Sequence, residues 1–227
     1  MKTLKIYLFR HGQTFYNKNK IFTGWKESKL TSLGVKQAEI IAKKLENKEI
    51  DVAFQTRLSR SKDTLKIVLK FHPECKKIIT DDNMIERSYG DLEGTKHENF
   101  IKKIGKREYK LVIYGDSIGD LEKRERKKIE KFLGEKEYDS IHRGYNIATP
   151  NGESFADVEK RVKIFIKELM KFMKKNKVNV AISAHGNSIR LFRRIMEKAT
   201  IEETCSWNIP YDKYFEYAIK INKGGKK

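Results

Sequence analysis

The chain is predicted to be an α/β protein, a three-layer α/β/α domain with a mainly parallel sheet and helices on both faces. Three observations predict this. Short segments rich in β-formers alternate with longer amphipathic segments along most of the sequence. Val178–Ala184 is strongly apolar, as a strand buried on both faces should be. A length of 227 residues suits one domain with a full hydrophobic core.

The elements follow in order. Leu4–Phe9 reads as a buried strand, and Arg10 to about Leu30 as a loop. Thr31 or Ser32 can cap a helix that turns Val35, Ala38, Ile41, Ala42 and Leu45 to one face. Asp51–Phe54 is a short strand, and Arg57–Phe71 a helix with Leu65, Val68 and Leu69 inward. Lys77–Thr80 is another strand. Residues Gly105–Tyr138 are mostly charged and read as a helical insertion on the surface. Gly152–Asn176 contains a long amphipathic helix with Val158, Val162, Phe165, Ile166, Leu169 and Phe172 at helical spacing. After the Val178–Ala184 strand, Ser188–Met196 resumes a helical pattern, and Tyr214–Ile221 closes the sheet. Residues 1–227 thus read as one domain with a helical insertion at about 105–140.

Composition narrows the function classes. Aromatic residues at 11% argue against disorder. No stretch approaches the roughly 20 apolar residues of a membrane span, and the apolar run at the N-terminus is too short for a signal peptide. Cys75 and Cys205 form neither a metal-ligand spacing nor a disulfide framework, so a reducing cytoplasm is expected. The net charge of +19 raises the question of nucleic acid. Lysines are spread along the chain with no basic stretch interleaved with stacking aromatics, so nucleic acid is not the expected partner. A positive field also draws in small anions.

In open α/β sheets ligands sit beyond the carboxyl ends of the strands. Two histidines fall there: His11 after the first strand and His185 after the apolar strand. His11, His72, His97, His142 and His185 are the only histidines, none paired at close helical spacing, so zinc is not expected. A neutral imidazole is a good nucleophile toward phosphorus, and the flanking Arg10 could hold two phosphate oxygens.

Leu8–Thr14, Asn17 and Phe22–Trp25 together resemble the signature of the cofactor-dependent phosphoglycerate mutases of the histidine phosphatase superfamily. The resemblance continues in Leu58–Ser61, Ile85–Gly90, Ala184–Arg190 and Asn208–Pro210, and covers most of the chain outside the charged insertion. It implies a phosphoglycerate mutase-like fold and a phosphohistidine on His11. It further implies a phosphate cradle of Arg10, Arg60, His11 and His185, with Glu86 as proton donor and acceptor. Thr23 and Gly24 would offer backbone donors, and Asn17 would contact the phosphate. Arg87 and Tyr89 would bind the carboxylate or a second phosphate. Gly186 and Asn187 would complete the substrate site.

The resemblance also implies 2,3-bisphosphoglycerate as phosphoryl primer, no metal, a small phosphorylated substrate and no membrane. A homo-oligomer stays open. Phe22–Trp25 and Asn187 are typical of the mutase branch, and His142–Pro150 is similar to the basic segment that clamps substrate in mutases. Three features depart. His142 stands before Arg143 where the family has two arginines. Lys96 or His97 occupies the place of a substrate-binding lysine. The residues after the last strand are short and basic. The expectation is therefore a mutase interconverting 2- and 3-phosphoglycerate, with two alternatives. One is a phosphatase of a small phosphorylated metabolite, the other a non-catalytic basic binding protein.

Overall fold

A computed structural model describes residues 2–112 and 123–221. The centre of the charged insertion (113–122) and the basic tail (222–227) lie outside the described residues. Five strands form one sheet in the order β3-β2-β4-β1-β5: β1 is Lys2–Arg10, β2 Val52–Gln55, β3 Lys77–Thr80, β4 Val180–Ala184 and β5 Tyr214–Ile221. All neighbours run parallel except β1 and β5. Eight α-helices surround the sheet among the described residues: α1 Phe15–Lys18, α2 Ser32–Leu45, α3 Ser59–Val68, α4 His97–Val112, α5 Lys123–Arg143, α6 Phe155–Asn176, α7 Gly186–Glu197 and α8 Ile201–Ser206. No described helix is long and apolar enough to cross a membrane.

Period-two alternation splits the core into two layers. Leu4, Ile6 and Leu8 of β1, with Val180 and Ile182 of β4, pack against Val158, Val162, Phe165 and Leu169 of α6 and Ile189 and Phe192 of α7. Tyr7, Phe9, Ala53 and Ala181 turn the other way, onto Ile41, Ala42 and Leu45 of α2 and Leu65 and Val68 of α3. The helices are capped as their sequences suggest. Thr31 Oγ1 accepts from Gly34 N at 3.0 Å to start α2, and Ser154 with Asp157 forms a capping box at α6.

Local expectations needed adjustment. Val35 is 36% exposed, not inward; Gly34 takes the buried place. The first turn of α2 lies on the loop after β1 so closely that a Cβ on Gly12 would come within 2.1 Å of Gly34 O. A side chain at either position would push the two apart. Leu69 lies in a 3₁₀ turn after α3 and is only partly buried, as is Phe172, whose neighbour Met173 takes the core position. The expected loop from Arg10 to Leu30 contains α1, capped by Thr14.

The charged region forms an antiparallel hairpin, and its ordered helix begins at His97, before the expected start at Gly105. The two helices pack mainly on each other. They cross at glycines: a Cβ on Gly105 would meet Glu130 O at 1.9 Å, and one on Gly134 would meet Ile101 O at 2.1 Å. The base of the hairpin reaches the body of the protein through an apolar cluster of Phe22, Tyr89, Phe100 and Ile141.

Candidate active site

Three adjacent strands deliver the central groups. β1 and β4 are in register at Arg10 and Ala184, so the residues that follow them lie side by side. His11 N donates to Ala184 O at 3.0 Å, and the His11 and His185 rings are 5.0 Å apart by centroid. β2 ends at Gln55, and the next residue, Thr56, places Oγ1 2.8 Å from His185 Nε2.

The protonation pattern of His11 follows from its neighbours. Its Nδ1 lies 2.8 Å from the Gly12 carbonyl, which can only accept, so Nδ1 carries the hydrogen. That leaves the Nε2 lone pair as the nucleophilic atom. Burial, with Arg60 and Arg10 nearby, holds the His11 pKa well below the usual imidazole range. Burial and Arg60 do the same for His185. Both rings are therefore neutral at pH 7.

A cleft of about 240 Å³ opens above His11. Arg10, Lys20, Arg60 and Arg190 line it, and Glu86 is the one carboxylate among its described lining residues. Arg60, in the first turn of α3, is held by the loop that precedes α2. Its Nη1 donates to Lys26 O at 2.9 Å and its Nη2 to Gly24 O at 2.7 Å, and burial lowers its pKa to about 10. Arg10 Nη1 donates to Ile209 O at 2.8 Å, with the guanidinium 3.9 Å over the Tyr211 ring. Arg190 donates from Nε to Trp207 O at 2.9 Å and from Nη1 to Asn187 Oδ1 at 2.6 Å. Burial, then Arg143 and Arg10, lower its pKa to about 10. The N-terminal turn of α7 opens on the same cleft at Gly186 and Asn187, and its backbone polarity favours an anion there.

Glu86 sits between these elements. Its Oε1 accepts from Arg87 N at 2.8 Å and Asn187 N at 3.2 Å, which fixes the carboxylate while leaving Oε2 for the cleft. Trp25 Nε1 donates to Glu86 O at 2.7 Å, pinning the segment from the other side. The far wall is aromatic and neutral. Phe22 stacks on His142 at 5.3 Å, Tyr89 packs on both, and Tyr138 Oη lies 2.9 Å from His97 Nδ1. Burial lowers His97 to about 4 and His142 to about 2.

The expected site residues divide clearly. Arg10, His11, Asn17, Thr23, Gly24, Arg60, Glu86, Tyr89, His97, His142, Gly186 and Asn187 all line the cleft. His185 lies behind His11, fully buried and off the wall. Between Lys96 and His97, His97 faces the cleft; Lys96 is exposed, in a backbone bridge with Ile21. Arg87 does not reach the cleft: its guanidinium is fully buried and donates to Ile141 O. Arg143 is also outside. It is exposed and donates to Cys205 O at 2.9 Å, because the end of α5 turns it toward α8. Arg190, Lys20, Tyr16 and Tyr211 line the cleft without having been singled out. Arg190 was legible in principle, since i,i+3 spacing puts it on the same face of α7 as Asn187.

The buried neutral imidazoles make stability pH-dependent. On unfolding, His11 and His185 regain ordinary pKa values near 6.5, so below that pH the unfolded chain binds more protons than the folded one. Stability should fall as pH drops from 7 to 5, by up to about 1.4 kcal/mol per pH unit for each buried histidine. Thermal melts across that range check this; a melting temperature flat to pH 5 would contradict it.

Comparison with known proteins places this geometry. The family model of the histidine phosphatase superfamily (branch 1) matches residues 6–111 and 116–225. A 2,3-bisphosphoglycerate-dependent phosphoglycerate mutase of Methanococcus vannielii is 32% identical over 202 residues, 88% of this chain and 84% of the relative. A phosphoglycerate mutase of Schizosaccharomyces pombe is 31% identical over 198 residues, 85% of this chain and 79% of its own. Among solved structures, a phosphoglycerate mutase of Bacillus anthracis superposes with a TM-score of 0.68 at 20% identity, covering 96% of this chain and 89% of its own. The α-ribazole phosphatase of Shigella flexneri superposes equally well, with a TM-score of 0.68 at 21% identity over 97% and 92% of the two chains.

Proposed function

We propose that this chain, which belongs to the histidine phosphatase superfamily, branch 1, is the phosphoglycerate mutase among that superfamily's enzymes. The observation that carries the reading is charge density. Four cationic side chains and a helix N-terminus surround a cleft of about 240 Å³. A three-carbon acid bearing one or two phosphates carries more negative charge than a simple phosphate monoester, and this set of cations suits it. The cleft suits that size, and its cations suit 2,3-bisphosphoglycerate as primer. Arg10, Arg60 and Arg190 would hold it, and it would supply the first phosphoryl group.

In this reading His11 Nε2 takes the phosphoryl group in line, and the charge spread over the transferring oxygens meets Arg10 and Arg60, already positioned by backbone carbonyls. His185 stands behind His11 and keeps that end of the cradle in place through Thr56. Glu86 gives and takes the proton of the acceptor hydroxyl through Oε2. Thr23, Gly24 and Asn17 contact phosphate oxygens. Arg190 holds the carboxylate, a group the resemblance assigned, with the second phosphate as alternative, to Arg87 and Tyr89.

One observation favours hydrolysis instead. His97 and His142 are neutral, so these two side chains offer the acceptor hydrogen bonds but no charge. A phosphatase acting on a small metabolite with an uncharged end would fit them. The two readings separate in one assay: conversion of 3-phosphoglycerate with and without 2,3-bisphosphoglycerate, with released phosphate followed in parallel. The mutase reading expects primer-stimulated formation of 2-phosphoglycerate that greatly exceeds phosphate release. Phosphate release without isomerisation would replace it with the phosphatase reading.

A further inference from the structure

We propose that Arg87 is a positioning residue that fixes the far wall of the substrate cleft by holding the C-terminal end of α5. Arg87 is fully buried. Its Nη2 donates to Ile141 O at 2.7 Å, and its guanidinium lies 4.5 Å from the Tyr89 ring and 4.9 Å from the Phe155 ring. Nε and Nη1 have no hydrogen-bond partner among the described residues. A buried cation is costly unless something offsets it. Here the offset comes from two ring faces and a helix C-terminus. Ile141 lies in the last turn of α5, where carbonyls lack a partner within the helix.

Arg87 anchors the end of α5 beside the cluster of Phe22, Tyr89, Phe100 and Ile141 and the Arg143 bond to Cys205 O. α4 and α5 pack chiefly on each other, and the side chain of Arg87 makes its one hydrogen bond among the described residues to the end of α5. That end carries Tyr138 and His142, and Tyr138 in turn bonds His97. The backbone N of the same residue donates to Glu86 Oε1 at 2.8 Å. Arg87 therefore links the carboxylate at the reacting end of the cleft to the neutral wall at the other. It should govern how tightly the acceptor portion is held, without taking part in phosphoryl uptake by His11.

The test uses the full chain with Arg87→Met, which removes the charge at similar length, and Arg87→Lys, which keeps the charge but loses the fork. Three quantities are read: KM and kcat for 3-phosphoglycerate, the rate of His11 phosphorylation at saturating p-nitrophenyl phosphate, and amide exchange in residues 138–143. For Arg87→Met, KM should rise about tenfold or more while phosphoryl uptake changes by less than about threefold, the signature of lost binding without lost chemistry. Exchange in the last turn of α5 should quicken, and Arg87→Lys should fall between. Unchanged KM with unchanged exchange would overturn the proposal, as would a loss of phosphoryl uptake equal to the loss in KM. The first readout rests on the mutase reading. Amide exchange needs no substrate, so it decides the positioning role even if 3-phosphoglycerate proves not to be the acceptor. If Arg87→Met does not fold, Arg87→Lys carries the same comparison.

Discussion

Replacing His11 with alanine is expected to abolish phosphoenzyme formation and to reduce turnover by more than about 10⁴-fold, the scale on which loss of a covalent nucleophile acts. The expectation rests on geometry. The Gly12 carbonyl holds the Nδ1 hydrogen, so a single lone pair faces the cleft, and burial keeps the ring neutral. No neighbouring group can substitute: His185 is engaged with Thr56 and lies off the cleft wall. The protein should remain folded and lose part of its acid sensitivity, since one buried neutral imidazole is gone. Intact-protein mass after incubation with 2,3-bisphosphoglycerate checks phosphoenzyme formation, and thermal melts from pH 7 to 5 check the acid sensitivity. The wild type should gain one acid-labile phosphoryl group and His11→Ala none. Full labelling of His11→Ala would remove His11 from the mechanism.

Glu86→Gln should cost about 100- to 10,000-fold in turnover, the range of a general acid-base group. Glutamine keeps the shape and can still accept from Arg87 N and Asn187 N, so the backbone around the site should hold. Only the exchangeable proton is lost. Affinity for orthovanadate, which reports on the arginine cradle, should therefore change little while turnover collapses. A fall in turnover of less than about threefold would mean that Glu86 only buttresses Asn187 at the start of α7.

How much of this was legible in the sequence differs from element to element. The strand-helix alternation told the layers and the parallel sheet, because each apolar stripe must be buried and crossovers demand helices. It also placed His11 and His185 beyond strand ends. Side-chain direction was less legible. Arg87 and Arg143 belong to segments that resemble substrate-binding motifs, yet the turn at the end of α5 draws one guanidinium into the core and points the other at α8. No local pattern encodes that, because it depends on how the hairpin docks. Arg190 was legible from its spacing to Asn187 but inconspicuous as one more basic residue on a basic helix; the Trp207 carbonyl and Asn187 aim it into the cleft. Val35 shows the same limit at small scale. Helical spacing allows it inward, but the contact of Gly34 with the loop after β1 sets the rotation of α2. The alternative at Lys96 and His97 was settled by one backbone bridge to Ile21, which turns Lys96 to solvent.

A phosphoryl group held on His11 is expected to pass to a phosphoglycerate hydroxyl and not to water. The most direct test labels the phosphoenzyme from radiolabelled 2,3-bisphosphoglycerate, which leaves as phosphoglycerate, and chases it with saturating 3-phosphoglycerate. The label is then divided between phosphoglycerates and inorganic phosphate. Most of the label should appear in phosphoglycerate, and that share should drop sharply in Arg190→Ala, where the carboxylate is no longer held. Wild-type label recovered overwhelmingly as inorganic phosphate, at saturating acceptor, would contradict that expectation.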